Sequence, residues 1–519
     1  MSRSRATTLA PSRAHGRHAR DAAPVATPRP SPRALDLALT ALVVAASIAV
    51  FHGALAYFFA QDDFTGLARA RGLAPPVAFP WRWLSGQAYF TVMRGVADLT
   101  PLPYRLVTLA AHGACVALAY RLCRRFTAPG AAAIGAVFFG VHPALFTALY
   151  SVSGIGEILA AAFGLGALLL ATAADARAWL ALPVFAASLM SKESTLLWPL
   201  ALLVPVWPRN ARPRREIALA LLGLATAYAI AFAARDVFGA RAGVDAAAPY
   251  ALGSGGTVAG NALTYLGWTV HIALPLVRSF TDAVDPGVFA AGGALAVAWL
   301  AGLAWPALRA RGWLAGGVLF ALALVPVLPL AHHTYHYYLY APLASGAITV
   351  AALCDSLTRR PGARARVILL AACGLALALN GGALVHRIET YPFLDPELRA
   401  DATVDRARIA ANAIGDLRAA SLPQGTELVF WSPASIGRER GAGADPARES
   451  YWETNVRTAL SDGLAVRVCV PQVAGVRFVR AFAPAPGDRV RWAVYLPNGH
   501  VRVATQAELA AALAARGAR

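Results

Sequence analysis

The constraint that decides the fold class is the repetition, between residues 34 and 385, of windows about 20 residues long that carry almost no charge. A window of that length crosses a hydrocarbon core of about 30 Å as a helix, with its backbone N–H and C=O groups satisfied inside the segment. The chain of 519 residues is 57% hydrophobic and 14% charged, whereas an average soluble domain carries about 25% charged residues. No soluble core absorbs so many apolar windows, and the chain reads as a polytopic membrane protein.

The formal charge of +19 does not point to nucleic acid, because the arginines lie in short connections and in the N-terminal segment rather than along one face. The windows predict helices at 34–60, 104–123, 131–149, 155–173, 177–190, 194–207, 215–235, 286–306, 313–331, 338–354 and 366–385, which makes eleven crossings. Residues 1–33 hold seven arginines with Pro and Ser and no apolar periodicity, the composition of a disordered cytoplasmic tail. By the positive-inside rule the connections with Arg121, Arg124, Arg125, Arg177, Arg209, Arg212, Arg214 and Arg215 share that side. Asp62, Asp63, Lys192 and the stretch 331–338 then face the other side. The stretch 261–280 is long enough to cross, but crossing would reverse Arg309 and Arg311, so it is expected to be interfacial or re-entrant.

Two external segments are expected. Within 61–103, Trp81, Trp83, Tyr89 and Phe90 alternate with Arg82, Gln87 and Arg94, as in a helix lying in the interface. Beyond residue 385 the composition becomes that of a soluble α/β domain, 386–519. A helix is expected over 396–420 and strands at 426–431, 464–470, 476–482 and 489–496, with a last helix opened by the capping box Thr505 to Glu508.

The chemistry-bearing residues gather on the external side. Adjacent Asp62 and Asp63, just past the first window, read either as a solvated loop end or as a carboxylate pair placed to take a proton. Lys192 is the single lysine among 47 basic residues. Beside Glu193 it is a local ion pair or a phosphate contact. The histidines His332, His333 and His336 lack zinc-like spacing and read as an interface loop. His112 and His142 read as hydrogen-bonded packing residues. Glu157 is a candidate orienting group and otherwise a charge favoured by a helix N-terminus. Tyr335, Tyr337, Tyr338 and Tyr340 form an aromatic belt. The five cysteines give neither a disulfide framework nor a zinc site.

The order of these features resembles the C-type membrane glycosyltransferases, the superfamily that includes protein O-mannosyltransferases and bacterial lipid-linked sugar transferases. The matching residues are Gln61-Asp62-Asp63-Phe64 after the first helix, Pro103-Tyr104-Arg105-Leu106 with His112, and Phe138-Phe139-Gly140-Val141-His142-Pro143. Ser191-Lys192-Glu193 and Tyr337-Tyr338-Leu339-Tyr340-Ala341-Pro342 complete them, and together they cover about residues 35–385. The resemblance implies an all-α transmembrane fold and transfer of a sugar from a polyprenyl-phosphate donor, at the outer face of a bacterial inner membrane. The acceptor, a protein, lipid or polysaccharide, stays open. In that chemistry Asp62 or Asp63 is the base. Lys192, Arg94, Arg105, His332, His333 and His336 are donor-phosphate candidates, and the pair is also a candidate site for a divalent cation, which some members of that superfamily hold and others do not. Two competing readings remain: a flippase of lipid-linked glycans, for which no internal repeat is visible, and a catalytically silent membrane scaffold for the C-terminal domain.

Overall fold

The computed structural model describes residues 31–238, 251–270, 286–305, 312–331, 333–358, 402–431, 455–479, 482–483, 487–496 and 499–517, with parts of a helix between 367 and 385. The first helix, α1 (Pro32–Phe51), begins as its sequence dictates. Ser31 Oγ accepts from the Ala34 N–H at 3.2 Å, and Pro32, which has no N–H to satisfy, stands in the first turn. A 3₁₀ turn over His52–Ala56 extends it. Next come α2 (Asp62–Ala70), a π-turn at Leu84–Ala88, α3 (Tyr89–Ala97), α4 (Pro101–Cys123), α5 (Pro129–Gly140), α6 (Phe146–Tyr150), α7 (Ile155–Ala171) and α8 (Ala181–Ser191). Helices Trp198–Leu203, Arg215–Phe238, Gly255–Val270, Pro286–Leu303, Trp313–Leu324 and Tyr340–Thr358 complete the apolar part.

Among the described residues five helices are long and apolar enough to cross a membrane: Pro32–Ala56, Pro101–Cys123, Arg215–Ala234, Pro286–Leu303 and His336–Thr358. The segment expected as one helix over 131–149 is a pair, α5 and a second piece from Pro143, bent by 45°. His142 is the corner: its Nδ1 accepts from the Ala144 N–H at 3.2 Å, which leaves Nε2–H to donate to the Thr269 carbonyl at 3.0 Å. The helices expected over 155–173, 177–190, 194–207 and 313–331 form, but as apolar helices of 10–17 residues, shorter than the roughly 20 that span a bilayer unaided. The tail before residue 31, residues 271–280 of the stretch 261–280, and residues 366, 368–370, 372–373 and 376–377 lie outside the described residues.

The apolar core is centred where α4, α5, α7 and Tyr340–Thr358 meet. His112 is its polar hub. Ser47 Oγ–H donates to the Gly140 carbonyl at 2.7 Å, so the hydroxyl oxygen accepts from His112 Nε2–H at 2.7 Å. His112 Nδ1 then accepts from Tyr340 O–H at 2.6 Å. One side chain thus ties four helices with every proton placed. Backbones approach closely at Gly135, where a Cβ would lie 2.3 Å from the Ala347 carbonyl oxygen, the small-residue crossing that apolar helices use when no hydrophobic drive sorts them in lipid.

The C-terminal part contains helix Ala402–Ala419 and a four-stranded sheet of order β2-β1-β3-β4. Its strands are β1 (Thr426–Trp431), β2 (Val473–Phe478), β3 (Val490–Tyr495) and β4 (Val501–Ala504). β1 pairs parallel to β2 and β3, while β4 runs antiparallel to β3. The strand expected at 464–470 is a helix, Leu464–Cys469. Parallel β1 and β2 need a crossover between them, and that connection overrides the local preference of its β-branched residues. β4 was not anticipated. The capping box forms as expected, with the Thr505 N–H donating to Glu508 Oε2 at 2.7 Å and the Glu508 N–H to Thr505 Oγ1 at 3.3 Å.

Gly135→Ala should lower the thermal midpoint in detergent by an amount corresponding to about 1–3 kcal/mol. Gly130→Ala, where an added Cβ meets nothing within 4 Å, should leave it unchanged or slightly raised. Equal midpoints for the two variants would contradict the crossing.

Candidate functional site

The aspartates at the head of α2 point in opposite directions. Asp63 is buried and its oxygens are committed. Oδ2 accepts from the Ala60 N–H at 3.1 Å, and Oδ1 accepts from the Ser153 N–H at 2.6 Å and from Ser151 Oγ–H at 3.1 Å. A carboxylate taken from water survives when donors replace its hydration. Beside it the buried Arg105 donates to the Tyr150 carbonyl at 2.6 Å and the Phe58 carbonyl at 2.8 Å. Asp63 and Arg105 therefore clamp the exit of the first apolar segment to the corner between α6 and α7.

Asp62 is exposed, and its carboxylate has no hydrogen bond or ion pair among the described residues. Yet protein crowds it enough that burial, with the charge of Asp63 second, raises its pKa above the ordinary 3.8, while Lys192, Arg69 and Arg82 pull the other way. The carboxylate thus reaches solvent while standing within electrostatic reach of those three cations.

Two of those cations, Lys192 and Arg82, are themselves held in ion pairs. Lys192 Nζ lies 2.6 Å from Glu157 Oε1, and 4.8 and 4.9 Å from the ring centroids of Tyr337 and Tyr338. Ser194 Oγ–H donates to the other oxygen of Glu157. The local pair of Lys192 with Glu193, one of the two sequence readings of this lysine, is not what forms. Lys192 sits at the end of α8 in extended backbone (φ −167°, ψ 156°), and this projects its side chain away from its neighbour and toward α7. Glu193 pairs instead with Arg82, Arg82 Nε donating to Glu193 Oε2 at 3.0 Å and Nη2 to Oε1. Arg82 holds φ +48°, a region that costs a non-glycine residue of order 1–3 kcal/mol and persists where contacts over-determine it. Ser85 Oγ–H donates to the Ser191 carbonyl at 2.6 Å and seats the same loop against α8.

Of the residues singled out from sequence, Asp62, Lys192, Glu157 and His333 come together here, and Asp63 and Arg105 support them from beneath. Burial, followed by repulsion from Lys192 and Arg82, pushes His333 down to about 4, so its imidazole is neutral at neutral pH and adds no positive charge. His333 Nε2 and Tyr337 Oη are 3.2 Å apart. Arg94 lies elsewhere: it is exposed and donates to the Ala70 carbonyl at 2.6 Å, closing the end of α2. Arg105, buried, donates to backbone carbonyls with its side chain turned inward. His336 is buried against Trp268, ring centroids 4.1 Å apart. His332 is outside the described residues.

Two contributors were missed, Arg69 and Arg82. Arg69 stands seven residues after Asp62, two turns along the same face of α2, and that spacing could have revealed it. Arg82 is partnered by a residue 111 positions away, which no local signal announces. Asp63 turns both oxygens into the protein, so the aspartates do not converge as a chelating pair, and among the described residues no group of three His, Cys, Asp or Glu could hold a metal ion.

Compared with known proteins, the chain matches no family model, and no curated protein matches it.

The two aspartates should separate by stability. Asp63→Asn leaves a neutral amide where a carboxylate accepts three donors, and should cost about 1–3 kcal/mol. Asp62 has a raised folded pKa, so its proton-binding stabilisation is present at low pH and lost as pH rises past that value. Asp62→Asn should therefore leave the midpoint at pH 7 unchanged or higher. Thermal unfolding of both variants in the same detergent checks this, and the reverse order would be incompatible with the geometry.

Proposed function

We propose that this is a membrane glycosyltransferase of the C-type superfamily, which moves a sugar from a polyprenyl-phosphate donor to a hydroxyl acceptor, with Asp62 as the general base. In the reaction the acceptor oxygen attacks the anomeric carbon, the bond from that carbon to the phosphate oxygen breaks, and polyprenyl phosphate leaves with the electron pair. The hydroxyl proton passes to Asp62. The observation that carries the reading is Asp62 itself, an accessible carboxylate with a raised pKa, placed within electrostatic reach of Arg69, Arg82 and Lys192. A base whose pKa lies nearer the working pH transfers protons more effectively, and cations fixed nearby stabilise the charge that gathers on a leaving phosphate. Lys192, caged by Glu157 and two tyrosines, is a preorganised donor rather than a free-swinging one.

Within this reading the chain crosses a bacterial inner membrane eleven times, with the shorter apolar helices counted among the crossings. The N-terminus is cytoplasmic, and the Asp62 side and the C-terminal domain are periplasmic, as the arginine distribution supports. No step runs through a metal, since the aspartates do not converge on one. The rival readings as scaffold or flippase gain nothing from an unpartnered carboxylate among cations.

The test is transfer from labelled polyprenyl-phosphate sugars in right-side-out and inverted membrane vesicles. Asp62→Asn should reduce kcat by about 10²–10⁴-fold with the protein still inserted, and full activity in that variant would remove Asp62 from the chemistry.

The pH profile is a separate check. The base works deprotonated, so the rate should fall with acidification at a midpoint above 3.8, because the folded pKa of Asp62 is raised from that value. An acid limb at or below 3.8 would contradict the assignment.

A further inference from the structure

The C-terminal domain does not stand apart from the site. Phe64, Leu67 and Ala68 of α2 belong to the same apolar core as Ile409, Ala413, Leu428 and Val466. At the head of α2 the two parts meet through polar atoms. The Gln61 N–H donates to the Ala459 carbonyl at 3.1 Å, and Thr65 Oγ1 lies 3.2 Å from Ser461 Oγ. Arg408 stands over the ring of Tyr57 at 5.8 Å. Both sides of this junction are strained. Gln61 holds φ 53° and ψ −124°, a conformation suited to glycine. Opposite it, Ser461, Asp462 and Gly463 hold φ 50°, 52° and 91° in succession. Gly463 leaves no room, since a Cβ there would lie 2.7 Å from Val476 Cβ. Strained torsions persist where the surroundings over-determine them, and here each strained segment is the other's surrounding.

We propose that the C-terminal domain is a positioning part of the site: through the loop 459–463 it holds Gln61 in the backbone conformation that turns Asp62 outward and Asp63 inward. The consequence is geometric. If Gln61 relaxed to negative φ, the start of α2 would rotate, and residue 62 would no longer face outward. The domain thereby governs the site without supplying a reacting group. The kinetic part of the test rests on the glycosyltransferase reading, while the labelling part does not.

The experiment uses the full chain in detergent with Asp62→Cys, and measures the rate at which a charged, water-soluble thiol reagent modifies that position. The native protein, with its five cysteines, is the blank to be subtracted; among the described residues Cys115, Cys123, Cys354 and Cys469 are buried. Adding Ser461→Ala, or Gly463→Val as a stronger perturbation, should slow modification by about fivefold, the scale of shift that release of one strained residue permits. If Gly463→Val does not fold, Ser461→Ala carries the test. A rate unchanged by Ser461→Ala would overturn the proposal, and so would a faster one, since that means shielding rather than positioning. In the chain retaining Asp62, Ser461→Ala should lower kcat with the donor KM unchanged, and Thr65→Ser should retain the wild-type kcat. Slowed labelling without any transfer by wild type would keep the positioning and discard the glycosyltransferase. Transfer with unaltered labelling would do the opposite.

Discussion

The buried carboxylate of Asp63 is the interaction on which the rest of the candidate site depends. Its three donors come from the exit of the first apolar segment and from the corner before α7. Removing a charge from water costs several kcal/mol unless such donors replace the hydration shell, so this short loop closes in one way. Arg105 holds two carbonyls from the same two segments. With Asp63 turned inward, the next residue back along the chain faces outward, and an accessible carboxylate results from the fixing of its neighbour.

The same logic governs the cations. Lys192 and Arg82 are each held by a glutamate, Glu157 and Glu193, and Lys192 is further caged by two tyrosine rings. Such pairing contributes little net stability once desolvation is counted, but it fixes where the positive charge stands. Two segments far apart in sequence, the loop at 82–85 and the end of α8, are thereby seated on each other. A site of this kind is rigid before any ligand arrives, the condition under which fixed charges act without reorganisation.

The helical hub shows the other face of the same principle. His112, Ser47, Gly140 and Tyr340 join four helices by bonds whose donors and acceptors are all accounted for. The sequence marked His112 as a packing residue because a lone histidine in an apolar helix must be satisfied. It could not name the partners, one of which lies 228 positions away. The apolar helices were legible from composition, but the break at His142 and the shortness of Ile155–Ala171 and Trp313–Leu324, which leave five helices long enough to cross among the described residues, were not. Apolarity reports that a segment is buried in something apolar, and bends and helix ends are set by what each segment packs against. The helix at Leu464–Cys469 misled for a related reason: its local β-preference was overruled by the crossover that parallel strands require.

The sequence by itself determined that the chain is a membrane protein with a small α/β part at its C-terminal end, because long apolar windows and an abrupt return to mixed composition leave no other physical option. From the asymmetry of arginines it also led to the expectation that the two aspartates and the single lysine share one side. What only the tertiary structure decided is which aspartate faces out, which glutamate holds Lys192, that Arg69 and Arg82 join them while Arg94 and His336 do not, and that the C-terminal domain shares the core of α2. These are pairings between residues tens to hundreds of positions apart. They depend on desolvated charges finding particular partners in space, and no local pattern of residues encodes that.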